Sequence, residues 1–259
     1  MSRWGCSITF VLFAALSTFF ATNAAGQMST PPGFQVKPGQ FDPFKTSLVQ
    51  AAWLHGIGCP TNATIAVFNA AGEIELQGFT DTACPVGDAN DARHEGLLLA
   101  KTGPTANFAA AFARIVGITG TALTELGWDI RKQSLTPLVP GNHAGTSPLG
   151  SHCGAGAPRW NIETQEGDFF FLGCNSPFAP VQMASTTGWI RMRWGAPLVA
   201  FNAATGTLED ITGRTIKSLA VLFDEGQDPS GGPDQFGAAI LDNISINGRI
   251  VGRGAEQSN

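Results

Sequence analysis

Tyrosine is absent from this chain of 259 residues, and only 14% of the residues are charged. All aromatic side chains other than histidine are therefore supplied by 18 phenylalanines and 6 tryptophans. Lysine is scarce, basic residues do not cluster, and the formal net charge is −5. An acidic chain without a basic patch argues against nucleic acid and anionic lipid as partners.

Sequence motifs of the common catalytic sites are missing as well. The chain contains no G-x-S-x-G, no S-x-x-K with its partner motifs, no H-E-x-x-H and no Walker loop. A glycosidase needs only two carboxylates on either side of the scissile bond, so this class stays open. The candidate pairs combine Asp224 or Glu225 with Asp129, Glu163 or Asp168. We expect a non-catalytic protein, with a glycan-active hydrolase as the alternative.

A long apolar run occurs only near the start of the chain. Arg3 precedes the apolar stretch from Ile8 to Ala21, and small residues follow it at Ala24 and Ala25. This pattern is typical of a secretory signal peptide, here residues 1–25. No later segment is apolar for long enough to span a bilayer. We therefore expect a secreted or periplasmic protein, whose net charge without Arg3 is −6, from 20 acidic and 14 basic residues.

Glycine and proline are abundant, at 32 and 16 residues, which favours many turns over long helices. Residues 26–46 contain four prolines and are predicted to be an extended lead-in. From there on most periodic segments alternate with period two, with turn signals about every 8–12 residues. The prediction is an all-β fold with little helix, a jelly-roll-like antiparallel sandwich of two sheets that forms one domain over residues 47–254. At 107–118 helix and strand compete, and the alanines favour a short helix.

Two hairpins and one alternating strand stand out. Residues 64–69 and 73–79 predict a hairpin, with Ile74 and Leu76 on the half-buried face of its second strand. Residues 159–165 and 168–174 predict another hairpin. Residues 189–194 read WIRMRW, which alternates cleanly between two faces of a strand.

The outward face of that strand is a candidate ligand surface. It carries Trp189, Arg191 and Arg193, and Trp160 lies on the neighbouring predicted hairpin. Sugars bind aromatic platforms through their apolar C–H faces, while their hydroxyl groups take planar polar partners. An exposed tryptophan beside two arginines is therefore a candidate carbohydrate site. The alternative is that Trp189 is covered by a loop.

Four cysteines remain after the predicted signal peptide. An even number of cysteines in an exported chain predicts two disulfides. We favour the local pairs Cys59–Cys84 and Cys153–Cys174, because a long stretch without cysteine separates them. Each bridge would close a loop worth about 3 kcal/mol in the chain-entropy model. The C-x-x-C spacing of a zinc site is missing.

The stretch from Ser218 to Arg249 predicts two strands joined by an acidic loop. Asn247-Gly248 then predicts a type I′ turn into a short last strand. On the second strand, period two places Asp242 on one face with Ile240, Ile244 and Ile246. A buried carboxylate needs partners, so Asp242 either accepts hydrogen bonds or binds a hard cation.

Calcium is the candidate cation. It takes about 6–8 oxygen ligands in flexible geometry. The predicted ligands are Asp242 and four acidic residues of the adjoining loop: Asp224, Glu225, Asp228 and Asp234. The alternative is a solvated loop without a cation. A second acidic segment contains Asp88, Asp91 and Glu95, and its spacing suits an exposed loop as well as a cation site.

The segment Ile240-Leu241-Asp242-Asn243-Ile244-Ser245-Ile246 resembles the closing strand of galactose-binding-like jelly rolls, including many carbohydrate-binding modules. It is also similar to the ending of other exported bacterial proteins. The resemblance implies a jelly-roll fold, a glycan or cell-surface component as partner, and a structural calcium held in part by Asp242. A structural or matrix protein that makes protein contacts is a further alternative.

Overall fold

The computed structural model describes residues 33–101, 109–131, 158–173, 176, 183–184, 188–224 and 237–254. This part of the chain lies in one compact unit, Pro31–Asn259, and contains sixteen β-strands, numbered here in chain order, and no helix. A search of the same residues finds no helical segment with the length and apolar character needed to span a bilayer.

The strands form two large antiparallel sheets and one separate hairpin. The first sheet runs in the order β1 (Gln35–Phe41), β6 (Ala110–Val116), β14 (Ile216–Phe223), β8 (Arg159–Thr164), β9 (Phe169–Gly173), β12 (Val199–Asn202) and β13 (Leu208–Asp210). The second runs in the order β10 (Met183–Ala184), β11 (Trp189–Trp194), β7 (Leu126–Arg131), β15 (Gly237–Ile246), β5 (Gly96–Lys101) and β2 (Val49–Leu54), with β16 (Arg249–Val251) paired to β15. The hairpin joins β3 (Ala63–Phe68) to β4 (Ile74–Phe79).

A core of tryptophan and aliphatic side chains joins the two sheets. Trp160 of β8 stacks on Trp128 of β7 with ring centroids 5.1 Å apart, and Trp194 of β11 meets Trp128 edge to face at 4.9 Å. All three are almost fully buried. Such pairs contribute about 0.5–1.5 kcal/mol beyond the burial of their area. Because the stacked pair spans both sheets, it confirms the predicted antiparallel two-sheet sandwich.

The chain passes back and forth between the sheets, as in a jelly roll. It leaves β5 in the second sheet for β6 in the first, returns to β7, and enters the first sheet again at β8. The predicted hairpins at 64–79 and 159–174 are confirmed as β3–β4 and β8–β9. The predicted strand at 189–194 is confirmed as β11.

Two stretches differ from expectation. The segment at 107–118, where alanines favour a helix, contains strand β6 instead. Ala113 and Ile115 face the core there, and Arg114 between them is exposed, so tertiary packing overrides helix propensity. Residues 35–41, expected in an extended lead-in, form β1 and pair with β6 along their whole length. Pro38 is tolerated because β1 is the edge strand.

A β-bulge in β15 changes which alternate residues face the core, odd-numbered before the bulge and even-numbered after it. The register against β7 shifts between Asp242 and Ser245, and Asn243 has a φ of 47°. As a result Leu241 and Ile244 both face the core. The prediction that Asp242 shares a face with Ile244 and Ile246 is therefore wrong, because the extra residue reverses the alternation.

The turn after β15 agrees with the sequence. Asn247 and Gly248 have φ values of 51° and 78°, as a type I′ turn requires, and β16 pairs back onto β15. The side chain of Asn247 also accepts hydrogen bonds from the backbone N–H groups of Thr124 and Glu125. The turn is thereby attached to the segment that leads into β7.

The hairpin β3–β4 pairs with no strand of either large sheet among the described residues. Its strands were expected to be half-buried, with Ile74 and Leu76 on the covered face. Instead these side chains are 69% and 71% exposed, and Phe68 on the same face is 77% exposed. Alternation predicted which residues share a face, and the absence of a second layer over that face explains the difference.

Candidate functional site

A groove follows the seam where the two large sheets meet at one side of the sandwich. The edge strand β1 of the first sheet lies against the edge strand β2 of the second. The groove has a volume of about 990 Å³ and is bordered by these strands, by residues 90–95 and by Arg253 and Gly254. It is an open concave surface of the size that ligand sites have.

Trp53 of β2 supplies the aromatic surface of the groove. Its indole Nε1 donates to the carbonyl of Val36 on β1 at 3.0 Å, a bond that ties the two edge strands together. Gly254 lies against the ring, since a Cβ built there would be 2.9 Å from Trp53 Cδ1. The ring is therefore fixed in orientation and half-buried, with its remaining surface in the groove.

Polar side chains surround this ring. Glu95 accepts a hydrogen bond from the backbone N–H of Gly254 at 2.8 Å, and its other oxygen lies 3.3 Å from His55 Nε2. The same imidazole nitrogen lies 3.2 Å from Arg93 Nη1. His55 can therefore donate to Glu95 or accept from Arg93, depending on its tautomer. The groove combines an apolar ring with several donors and acceptors.

Asp91 shapes the loop that forms one wall of the groove. Its carboxylate accepts hydrogen bonds from the backbone N–H groups of Glu95, at 2.9 Å, and Arg93, at 3.3 Å. Partial burial raises the pKa of Asp91, with the nearby Glu95 charge as a lesser cause, while the two backbone N–H groups act in the opposite direction. The carboxylate acts as a local backbone anchor that holds Arg93 and Glu95 at the groove.

The predicted tryptophan platform is not exposed. Trp189 is only 2% exposed and packs with Cys59, Ala83, Cys84 and Ile240. The alternative, that a loop covers Trp189, agrees with the structure. Trp160 has no exposed surface, because it lies in the core between the sheets. A binding platform at either ring is therefore wrong.

The two arginines beside Trp189 are bound to a buried carboxylate. Arg191 donates to both oxygens of Asp129 at 2.8 Å, and Arg193 lies 3.3 Å from the same group. Asn243 donates a further hydrogen bond to Asp129 at 2.8 Å. Burial lowers the pKa of Arg193, although the charge of Asp129 opposes this effect. These side chains form a structural network beneath the loop that covers Trp189.

The two predicted calcium ligands that the structure describes do not share a site. Asp242, on the second sheet, accepts hydrogen bonds from the backbone N–H groups of Cys59 and Asn243. Asp224 follows β14 of the first sheet and forms a bidentate ion pair with Arg159, at 2.7 and 2.8 Å. Their oxygens already have donors, so this pair does not fit a common cation.

The other predicted ligands Glu225, Asp228 and Asp234 lie outside the described residues, and calcium stays a prediction for them. Titrating calcium into chelator-treated protein would test it by a rise in melting temperature. One group of described residues is close enough to hold a metal by distance alone, Cys59 with Cys84 and Asp129. Its sulfurs are joined in a disulfide and its carboxylate is bound by two arginines.

The disulfide Cys59–Cys84 is present and closes a loop with a sequence separation of 25. It joins the two ends of the segment that contains β3 and β4. The second predicted pair, Cys153–Cys174, lies outside the described residues.

Four of the five carboxylates considered for a hydrolase are each bound to a cation, and the fifth, Glu225, lies outside the described residues. Glu163 contacts Lys217 at 2.7 Å, Asp168 contacts Arg214, and Asp129 is held by its two arginines. In the described part of the chain, the groove instead brings together Asp91 and Glu95. The sequence had placed both in an acidic segment that suited an exposed loop as well as a cation site, without connecting it to Trp53.

Comparisons with known proteins give no family. No protein-family model matches the chain, and no curated protein matches it. Among solved structures, the family 11 carbohydrate-binding module of cellulosomal cellulase Lic26A-Cel5E of Clostridium thermocellum is 12% identical with a TM-score of 0.32, covering 83% of this chain and 96% of the module. A β-1,2-glucanase from Parabacteroides distasonis is 13% identical with a TM-score of 0.30, covering 77% of this chain and 23% of the enzyme. At these TM-scores the likeness carries no argument, and functional inference rests on the residues of the groove.

Proposed function

We propose that this chain is an exported, non-catalytic carbohydrate-binding β-sandwich, and that its glycan site is the groove along β1 and β2. One observation supports this site above others. Of the five tryptophans in the described residues, four are at most 3% exposed, and Trp53 alone is half-buried and borders the groove. A fixed indole ring among hydrogen-bonding side chains is what a sugar ring requires.

The experiment is affinity electrophoresis of the mature protein in gels that contain soluble polysaccharides, followed by calorimetry on those that retard it. Trp53→Ala is expected to weaken binding about tenfold or more, because it removes the apolar platform. Phe201→Ala is the matched control, since Phe201 is an exposed aromatic residue on β12, away from the groove.

Trp53 also packs against the core, so its removal could disturb the fold. Trp53→Phe keeps an aromatic surface, and His55→Ala changes a side chain that is exposed. Both variants should melt near the parent temperature, and His55→Ala should still bind more weakly. An unchanged affinity for both Trp53→Ala and His55→Ala would remove this groove as the site. Release of reducing ends from a bound glycan would favour the hydrolase alternative.

A second candidate function, protein contact, is favoured by the uncovered face of the β3–β4 hairpin. Phe68, Ile74 and Leu76 on that face expose roughly 400 Å² of apolar surface, the size of the largest patch on many monomers. The glutamates of β4 and its turn point to the opposite face from Leu76. Two copies can therefore meet face to face without bringing like charges together.

The expected partner on that face is a second copy of the chain. Such an interface would bury roughly 800 Å² in total, which is small and predicts a weak dimer. Sedimentation velocity over a wide concentration range tests this, with Leu76→Ser as the variant that should remain monomeric. A parent protein that stays monomeric at millimolar concentration would exclude the second-copy contact.

A further inference from the structure

We infer that the groove selects an anionic glycan, one that carries carboxylate or sulfate groups, over a neutral one. This inference rests on the proposed function and names the class of ligand for the same site. It follows from how the charges in the groove are partnered.

The carboxylates of the groove are occupied by donors from the protein itself. Glu95 is bound by the backbone N–H of Gly254 through one oxygen and lies within ion-pair distance of His55 through the other. Asp91 is bound by the backbone N–H groups of Arg93 and Glu95. Part of their acceptor capacity is thereby taken up within the protein, which leaves less of it for the hydroxyl groups of a neutral sugar.

Two cations of the groove, Arg93 and Lys37, have no ion-pair partner in the part of the chain that the structure describes. Among the described residues, Arg93 contacts only the imidazole of His55 through its guanidinium group, and no carboxylate forms an ion pair with it. Lys37 on β1 is exposed and likewise has no ion-pair partner in this part of the chain. A guanidinium group presents a fork of donors that matches carboxylate or sulfate oxygens in two-point contact.

The basic character continues beyond the first groove. A second depression of about 330 Å³ shares Arg253 and Gly254 with it and is bordered by Arg249. Arg253 lies 3.8 Å from Asp88, so part of its charge is balanced there. The two depressions together carry four basic side chains, Lys37, Arg93, Arg253 and Arg249, against three acidic ones, Asp88, Asp91 and Glu95, in a protein whose net charge is −5. A polymer with repeated anionic groups can follow the two depressions, whereas the rest of the acidic surface repels it.

The test compares four soluble probes by calorimetry on the mature protein: polygalacturonate, dextran sulfate, unsubstituted dextran and a mixed-linkage β-glucan. We expect the anionic probes to bind at least about tenfold more tightly than the neutral ones, and the comparison of the first two separates carboxylate from sulfate. Binding should weaken as salt rises from about 0.1 to 1 M, because the Debye length falls from about 10 to 3 Å.

Arg93→Ala should lose about tenfold in affinity for the anionic probe, and Arg93→Lys should recover only part of it, since an ammonium group keeps the charge and loses the fork. Lys217→Ala is the matched control, because Lys217 is a surface cation outside the groove that pairs with Glu163. Neutral probes that bind as tightly as anionic ones, or anionic binding that salt does not weaken, would overturn this inference and leave the proposed function standing. No binding to any of the four probes, nor to any polysaccharide in the electrophoretic screen, would overturn both.

Discussion

Asp129 on β7 and Asp242 on β15 lie directly opposite each other in the second sheet, and both are buried. Two arginines bind Asp129, whereas the donors to Asp242 within the described ranges are the backbone N–H groups of Cys59 and Asn243. Burial raises the pKa of Asp242 well above its ordinary value, and the charge of Asp129 adds to this effect against the two backbone hydrogen bonds. Asp129 thus lies in an ion-pair network, while Asp242 resists ionisation.

Asp242→Ala should destabilise the protein. The change leaves the buried backbone N–H groups of Cys59 and Asn243 without an acceptor, and each such group costs about 1–3 kcal/mol. The loss can be measured by urea denaturation at pH 7. An unchanged midpoint would show that Asp242 does not anchor the loop that begins at Cys59.

Asp242→Asn should change how stability depends on pH. Since the folded-state pKa of Asp242 is raised, the folded protein holds this proton more tightly than the unfolded chain does. Its stabilising contribution is therefore complete at low pH and is lost as pH rises from about 4 through the folded-state pKa. The amide of the asparagine variant does not titrate. The free energy of unfolding of the variant should therefore rise relative to that of the parent between pH 4 and pH 8.

Shifted carboxylates that do not interact with Asp242 are present in both proteins, and their contributions cancel in that difference. Lowered pKa values of exposed groups such as Asp42 and Asp210 affect parent and variant equally. Unfolding free energies at five or six pH values would therefore isolate Asp242. A parallel pH dependence of the two proteins would contradict the raised pKa.

The sequence predicted the faces of most strands, because alternation is a local property. The segment WIRMRW placed Ile190, Met192 and Trp194 on one face, and these are the residues that enter the core. Whether the opposite face is exposed was not predictable in this way. Trp189 is covered by a loop that starts some 130 residues earlier and is held by a disulfide at its base.

The candidate groove could not be predicted from the sequence either, because it depends on contacts between distant parts of the chain. No local pattern in the sequence connects Trp53 with Glu95, which belongs to a separate acidic segment. Their proximity depends on the meeting of β1 with β2 and on the segment after β16 that contains Gly254. Pro38 was the one local signal, since a proline within a strand indicates a sheet edge.

Lys101→Met should stabilise the protein by about 1–3 kcal/mol. Lys101 has no exposed surface, it follows the core residues Leu97 and Leu99 on β5, and its Nζ has no hydrogen-bond partner among the described residues. Burial lowers its pKa, with the charge of Asp224 opposing that effect. Methionine fills a similar volume without an amine to desolvate.

The difference in stability between the Lys101→Met variant and the parent should also become smaller as pH rises. The unfolded chain keeps the lysine proton up to about pH 10.4, whereas the folded protein releases it earlier. The parent protein therefore gains stability over that interval, and the variant does not. Thermal melts at pH 7, 8.5 and 9.5 would show this, and a constant difference in melting temperature would contradict it.

Trp160→Phe should leave both fold and glycan binding nearly unchanged. Trp160 is fully buried, and its Nε1 has no hydrogen-bond partner in the described part of the chain, so phenylalanine removes an unpaired donor together with some volume. Trp160→Ala should cost about 3–5 kcal/mol, because it leaves a cavity against Trp128. Loss of glycan affinity in a Trp160→Phe protein that melts at the parent temperature would show that Trp160 takes part in ligand binding.

Replacing Cys59 and Cys84 by serine should lower the free energy of unfolding by about 3 kcal/mol, the chain-entropy value for a loop of this length. The loop that covers Trp189 should open more often than the rest of the fold, because the disulfide holds this loop. We expect faster hydrogen exchange in β3 and β4 and greater quenching of tryptophan fluorescence by acrylamide, while Trp128 and its neighbours in the core stay protected. The control is the same serine variant with Trp189→Phe. If acrylamide quenching rises as much in this protein as in the serine variant that keeps Trp189, the newly exposed ring is another tryptophan. The disulfide would then not hold the loop over Trp189 in place.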